Sequence, residues 1–280
     1  MNDHEYSYLK QKTLALTGID LDCYKDQQMR RRLDGFINSQ PSGVVPYCEI
    51  LRRDPAALKK LRDFLTINVS EFFRDKQHFE LLKTVILPDL LRRNRRLNIW
   101  SAGCSHGAEA YSVAILLDEI SPGTAHRILA TDIDEKVMEI ARHGGPYSPS
   151  DVAGVESWRL LKYFSTSDGS SRITDKIKKQ VEVKCLNLLS DPFESGFDLI
   201  ICRNVVIYFT EVAKANLIRK FHRALKPNGV LFIGASEALV VTPESEFERL
   251  GICFYQKRSS GTPEPTRCVA AAARVRAGEA

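Results

Sequence analysis

Small residues crowd the stretch Ser101-Ala102-Gly103-Cys104-Ser105-His106-Gly107, which follows the run Asn98-Ile99-Trp100 and precedes a helical pattern from Ala108. A turn of this composition between a strand and a helix lets a ligand lie against the backbone beside the helix N-terminus. Gly103 and Gly107 could equally serve only to make the turn. The next apolar run ends Ala130-Thr131-Asp132-Ile133-Asp134, placing Asp132 29 residues beyond Gly103. An acidic side chain at a strand end there can hold both hydroxyls of a ribose, so a nucleoside ligand is expected. The glycines lack the dinucleotide spacing G-x-G-x-x-G, which favours S-adenosylmethionine over a nicotinamide cofactor.

The elements that must position these residues fall into two regimes. Residues 1–87 read as a small all-helical domain: Leu9, Leu14, Leu16 and then Met29, Leu33, Phe36 and Ile37 recur at near-helical spacing, punctuated by Gly18, Gln40-Pro41-Ser42-Gly43 and Asp54-Pro55. Residues 88–258 read as α/β. Apolar runs Leu97 to Ala102, Arg127 to Thr131, Phe197 to Cys202 and Val230 to Gly234 alternate with amphipathic stretches Ala108 to Glu119, Glu135 to Arg142 and Glu211 to Leu225. That alternation predicts a parallel, doubly wound sheet. Residues 144–185 interrupt it with Gly, Ser and Pro and end in alternating Ile173, Ile177, Val181 and Val183, a pattern for a small antiparallel β insert. Cys253 to Lys257 follows a loop rather than a crossover helix, which allows an antiparallel last strand. Residues 259–280, rich in Ala, Pro and Arg, are expected to be a disordered tail.

At 280 residues, 44% hydrophobic and 27% charged, the chain matches an ordinary globular protein. No apolar run approaches the roughly 20 residues of a membrane-spanning helix, so direct membrane insertion is not expected. The start Met1-Asn2-Asp3-His4-Glu5 has no basic flank and apolar stretch of a secretory signal. Seven cysteines without a C-x-x-C pair argue against a disulfide framework or a zinc knuckle. A cytoplasmic protein without a metal is the expectation. Residues 1–96 carry 18 Lys plus Arg against 13 Asp plus Glu, which is the whole net charge of +5. Arg92-Arg93 with Arg95-Arg96 can be a solvated helix end that complements the dipole. Arg30-Arg31-Arg32 is more suggestive: three consecutive positions spread over most of a helix circumference, so at least one must face outward and meet an acidic partner, either nucleic acid or an acidic protein surface.

Three longer segments carry a family resemblance: Thr66-Ile67-Asn68-Val69-Ser70-Glu71-Phe72-Phe73-Arg74-Asp75, Ile99-Trp100-Ser101-Ala102-Gly103-Cys104-Ser105, and Phe197-Asp198-Leu199-Ile200-Ile201-Cys202-Arg203-Asn204-Val205-Val206-Ile207-Tyr208-Phe209. Together with Asn187-Leu188-Leu189 and Gly229 to Gly234 followed by Ser236-Glu237, they resemble the chemotaxis receptor methyltransferase (CheR) family, in order, over roughly residues 5–258. The resemblance implies a Rossmann-like methyltransferase domain and transfer of a methyl group from S-adenosylmethionine to glutamates of methyl-accepting chemotaxis receptors, leaving S-adenosylhomocysteine. The implied partner is the cytoplasmic helical bundle of those receptors rather than a nucleic acid, with Arg30, Arg31 and Arg32 docking it.

The resemblance also implies roles. Arg74 and Tyr208 border the methyl group, Arg74 orienting the carboxylate and Tyr208 shaping the approach; on residue type alone they would read as a surface ion pair with Asp75 or Glu71 and as a core ring. Asn68, Ser70, Arg74, Gly103, Glu109, Asp132, Asn187, Leu188, Cys202, Arg203 and Asn204 line the cofactor, with Glu109 on the methionine ammonium and Asp132 on the ribose. The family's usual Cys-Ser-Thr-Gly-Glu-Glu-Pro-Tyr-Ser stands here as Cys104-Ser105-His106-Gly107-Ala108-Glu109-Ala110-Tyr111-Ser112. His106 replaces a small hydroxyl residue and could be a bystander facing solvent; Ala108 removes one of two adjacent carboxylates. Those departures motivate an alternative, a cofactor-binding receptor adaptor or sensor with little turnover. An RNA methyltransferase ranks last, because the basic helices lack interleaved aromatics for base stacking. The stretch Phe164 to Asn187 is short and Ser-rich and resembles members that bind receptors without a C-terminal pentapeptide tether.

Overall fold

The computed structural model describes residues 1–40, 43–239, 241 and 246–258, so the expected tail, 259–280, lies outside the described residues. The chain divides into two compact units, Met1–Ile67 with Ile207–Leu217, and Asn68–Val206 with the chain from Ile218 on.

The helical unit holds α1 (Asp3–Thr17), α2 (Asp26–Asn38), α3 (Val44–Arg53) and α4 (Pro55–Leu65). Starts are written locally. Asn2 and Glu5 form a reciprocal capping box on α1, and Asp54 caps α4 ahead of Pro55, whose missing N–H costs nothing in a first turn. Leu9, Leu33, Phe36, Tyr47, Leu51 and Leu61 make the interior. The returning segment is tied in by backbone: the Lys25 N–H donates to the Tyr208 carbonyl (2.9 Å) and the Thr210 N–H to that of Cys23 (2.9 Å). Tyr24 meets Phe209 edge to face, centroids 5.2 Å apart.

The larger unit is built on a mixed sheet of β1 (Asn98–Ala102), β2 (Arg127–Asp132), β5 (Val181–Cys185), β6 (Phe197–Cys202), β7 (Leu225–Ile233), β8 (Phe247–Arg249) and β9 (Phe254–Lys257), with a separate hairpin of β3 (Phe164–Ser167) and β4 (Ser170–Ile173). Strand order is β5-β2-β1-β6-β7-β9-β8; the first five are parallel, and β9 runs antiparallel to β7 as expected. β6 is buried along its whole length, the pattern of a central parallel strand covered on both faces. Helices α7 (Ala108–Ile120), α8 (Glu135–His143), α9 (Ser157–Tyr163) and α10 (Asp175–Lys178) lie in the connections between strands, and α11 (Glu211–Ala224) belongs to this unit from Ile218 on. The stretch expected to be amphipathic at Ala108 to Glu119 is instead covered on all sides: residues Ala108 to Asp118 of α7 are all buried. Before β1, α5 (Lys76–Leu81) and α6 (Leu87–Arg93) are joined by a π-helical stretch, Leu82–Ile86. Pro88 cannot donate to the preceding turn and its ring crowds it, so the helix widens there.

Two expectations are corrected. The compact units divide at Ile67/Asn68, not near residue 87, because Phe72, Phe73, Phe79, Leu82, Ile86, Leu87 and Leu90 belong to the core that includes the sheet. Residues 181–185 are not part of an antiparallel insert: they form β5, parallel to β2 with Ile128 opposite Val181 and Asp132 opposite Cys185. A period of two marks a strand but not its partner. The insert is a hairpin of two four-residue strands, closed by Asp168 (φ 50°) and Gly169 (φ 72°), the left-handed pair of a type I′ turn. Among the described residues no helix is long and apolar enough to cross a membrane.

Candidate active site

The chain leaves β1 and builds outward to β2 and β5, then returns to the other side of β1 with β6. In an open parallel sheet such a reversal opens a crevice at the carboxyl ends of the strands. Gly103, Asp132 and Cys202-Arg203-Asn204 stand at those ends.

The first turn is fixed by its own backbone. Gly103 (φ 79°) and Cys104 both donate N–H to the Thr131 carbonyl (2.8 and 2.9 Å). A β-carbon on Gly103 would lie 2.6 Å from Val205 Cγ2, so only glycine fits. The Ser105 N–H donates to Asp132 Oδ2 (2.8 Å) and that of Asp134 to Oδ1 (3.1 Å). Burial pushes the Asp132 carboxyl above its usual range, opposed by these amides.

One step inward, Glu109 is buried at the start of α7, accepting from Ser101 Oγ (2.7 Å) and facing Arg203 Nη1 at 3.6 Å. Burial raises its pKa, with Arg203 pulling the other way. Arg203 is itself buried, pairs with Asp75, and lies over the Phe232 and Phe79 rings at 4.8 and 5.5 Å. Glu237 Oε2 accepts the N–H groups of Gly234 and Asn204 (2.7 and 2.8 Å), holding Asn204 at φ 60° and joining the ends of β6 and β7. Burial pushes the Cys202 thiol well up, so it forms wall rather than nucleophile.

Asn187 and Leu188 lie beyond β5. The Asn187 side chain accepts the Leu189 N–H (3.0 Å), and Lys220 Nζ from α11 donates to the carbonyls of Leu188 and Asp191 (2.9 and 2.8 Å). The segment ahead of α5 supplies Asn68, whose amide donates to Asp134 Oδ2 at 2.5 Å, and Ser70, whose carbonyl faces His106 Nε2 at 3.1 Å. His106 therefore does not face solvent. Arg74 donates to the Val69 carbonyl (3.2 Å) and stands between two non-glycine residues at positive φ, Phe73 (53°) and Asp75 (60°). Among the described residues it makes no ion pair with Asp75 or Glu71; Asp75 is taken by Arg203.

The remaining expected residues belong to the helical unit. Arg30 is tied to Asp3 (2.7 Å) and to the Met1 carbonyl (3.0 Å). Arg32 donates to the Phe64 carbonyl (2.6 Å) and lies 5.0 Å from the Phe64 ring, its pKa lowered by burial. Arg31 is exposed. Arg31 and Arg32 join Lys25, Tyr24, Gln28 and Tyr208 around a cleft of about 320 Å³. Tyr208 is thus a wall of this cleft and not a core ring. The sequence reading includes Ser101, Asp75 and Glu237 within its motifs without giving them a place in the site, and Lys220 does not enter it; the two carboxylates carry a signal, as acids in otherwise apolar or turn-forming surroundings.

A strand-end acid over a glycine turn, at the reversal point of a parallel sheet with an antiparallel last strand, defines a nucleoside-cofactor site of the methyltransferase class. Ser105 Oγ and Arg203 Nε are buried without a partner among the described residues, which leaves hydrogen-bonding capacity for a polar ligand; the residues fit S-adenosylmethionine. Residues 68–254 match the family model described as "CheR methyltransferase, SAM binding domain". The chain is 35% identical over 260 residues to a chemotaxis protein methyltransferase of Listeria monocytogenes, covering 91% of this chain and 98% of that one. It is 35% identical over 241 residues to chemotaxis protein methyltransferase 1 of Pseudomonas aeruginosa (81% and 87% covered), and 34% identical over 237 residues to that of Borreliella burgdorferi (79% and 83%). The chain belongs to the CheR methyltransferase family and is an S-adenosylmethionine-dependent enzyme of the chemotaxis type.

Proposed function

We propose that this enzyme methylates glutamate side chains on the cytoplasmic helical bundle of methyl-accepting chemotaxis receptors, giving γ-glutamyl methyl esters and S-adenosylhomocysteine. The observation that carries the acidic substrate is the cleft at Tyr208, which Lys25, Arg31 and Arg32 line and, among the described residues, no carboxylate does. Its charge suits a glutamate-rich helix surface. Once bound, the cofactor supplies an electrophilic methyl group on a sulfonium.

Asp132 holds the ribose in this reading and Glu109 the methionine ammonium. Asn68, Ser70, Gly103, Asn187, Leu188, Cys202, Arg203 and Asn204 shape the remaining walls. A glutamate carboxylate with a pKa of about 4.3 is already ionised at neutral pH, so the site needs no general base. Positioning then dominates catalysis. Arg74 orients the incoming carboxylate: its flanking residues are held off the ordinary backbone regions, and its guanidinium has no carboxylate partner among the described residues. Tyr208 shapes the approach. The two-residue turn of the β3–β4 hairpin supports receptor recognition without a peptide tether. A cytoplasmic location follows from such a substrate.

The test is to incubate the protein with methyl-labelled cofactor and either receptor membranes or RNA. Label on the receptor that alkali releases is the expected result. Cofactor binding without transfer would instead mark an adaptor, and an alkali-stable mark on RNA would overturn the reading.

A further inference from the structure

We propose that His106 is a positioning residue that clamps the Asn68–Arg74 segment onto the cofactor turn, a role resting on the assignment of that segment to the cofactor and substrate site. His106 lies in the turn between β1 and α7, yet its ring reaches a different part of the chain. Nε2 is 3.1 Å from the Ser70 carbonyl and 3.5 Å from Asp151 Oδ1. With a carbonyl as partner, Nε2 carries the proton, and Nδ1 is left buried without a partner among the described residues.

The ring is itself held. Tyr147 packs on it with centroids 5.5 Å apart, and the Tyr147 hydroxyl donates to the His106 carbonyl (3.1 Å). The same segment is held at three further points: the Asn68 amide donates to Asp134 Oδ2 (2.5 Å), the Phe72 N–H to the Asp151 carbonyl (2.9 Å) and the Phe73 N–H to Ser112 Oγ (3.0 Å). Gly154 lets the Phe72 carbonyl approach, since a β-carbon there would lie 2.6 Å from it. His106 thus fastens the middle of the segment, at Ser70, between the bonds at Asn68 and at Phe72. The neighbouring hydroxyl, Ser105 Oγ, is buried without a partner among the described residues. A side chain as short as serine at position 106 would not span the gap to Ser70 that the imidazole bridges.

The experiment compares His106→Ala with His106→Gln, whose amide can still donate to the Ser70 carbonyl. Three quantities are read: amide exchange across residues 69–73 without cofactor, cofactor affinity by calorimetry, and kcat against KM in methyl transfer. His106→Ala should exchange faster in this segment and bind cofactor about five- to tenfold more weakly, the ratio expected for one lost neutral hydrogen bond. It should also lower kcat, because Arg74 sits on the loosened segment. His106→Gln should recover most of all three. Failure of glutamine to recover any of them, or faster exchange with unchanged affinity and kcat, would overturn the proposal. The functional reading itself is judged separately: if Asp132→Ala weakens cofactor binding while His106→Ala does nothing, the cofactor site stands and the clamp falls.

Discussion

Arg74 shows how one residue's usefulness depends on its neighbours. Non-glycine residues at positive φ cost on the order of 1–3 kcal/mol each and persist only where surroundings enforce them. Here Phe73 is buried and bonded to Ser112, and Asp75 is paired with Arg203. Arg74→Ala should leave the fold intact and reduce methyl transfer strongly, and Arg74→Lys should recover it only in part because an ammonium lacks the planar fork. Full turnover in Arg74→Ala would remove it from the site. For Asp132→Ala, calorimetry should register about 1–3 kcal/mol less cofactor binding, the worth of charged hydrogen bonds to a ribose. Both Glu109 and Asp132 are held above the normal carboxylate range by burial. Cofactor affinity should therefore decline on acidification at a higher pH than exposed carboxylates would give, and Glu109→Gln should lose the part of that decline that belongs to residue 109.

Elements were legible where composition alone decides them. β6 is readable at Phe197–Cys202 as a short apolar run, α8 as the amphipathic stretch Glu135 to Arg142, and the turn after β1 from its small residues. The assignment of β5 failed since alternation does not say which strand lies alongside. The partners of His106 and of Arg203 were invisible for a similar reason: Ser70 and Asp75 lie 36 and 128 residues away in the chain. Asp132 and Gly103 could be read because strand, turn and helix follow one another directly. That dependence makes the turn testable as an element. Gly103→Ala meets both the Val205 contact and a left-handed φ, and should cost about 2 kcal/mol or more of stability. Thermal unfolding with and without cofactor would measure it; an unchanged melting temperature would show that the loop can shift.

Across the whole molecule, charge and protonation set conditions for folding and function. His126 is buried with Nδ1 accepting the Leu97 N–H (3.1 Å), and burial lowers its pKa, as it does for His78 and His222. Their folded pKa values lie below the unfolded 6.5, so the unfolded chain takes up protons first. Stability should be full above about pH 6.5 and be lost as pH falls from there toward the folded values. Denaturant titrations of His126→Asn should show a flatter slope in that window. The basic cleft obeys a different control. Screening shortens from about 10 Å at 0.1 M salt to about 3 Å at 1 M, so receptor methylation should decline with salt while cofactor affinity changes little. Of the three arginines, Arg31 is the exposed one, and Arg31→Glu should raise the receptor KM without altering the melting temperature; Arg32→Glu should lower the melting temperature as well. A salt-independent rate with unaltered receptor binding in Arg31→Glu would assign the cleft another purpose.

The helical unit is discontinuous in the chain, and this bears on its birth on the ribosome. Its first part ends at Ile67, but the strand-like bridge from Tyr24 to Phe209 and the bonds from Lys25 and to Cys23 need residues that emerge far later. Vectorial synthesis therefore delivers four helices whose cleft has only one wall until the nascent chain has passed Thr210. During that interval Met29 and the side of α2 that later faces Tyr208 are exposed to whatever the cell offers, and a chain stalled before residue 207 should be a substrate for chaperones rather than a miniature of the finished unit.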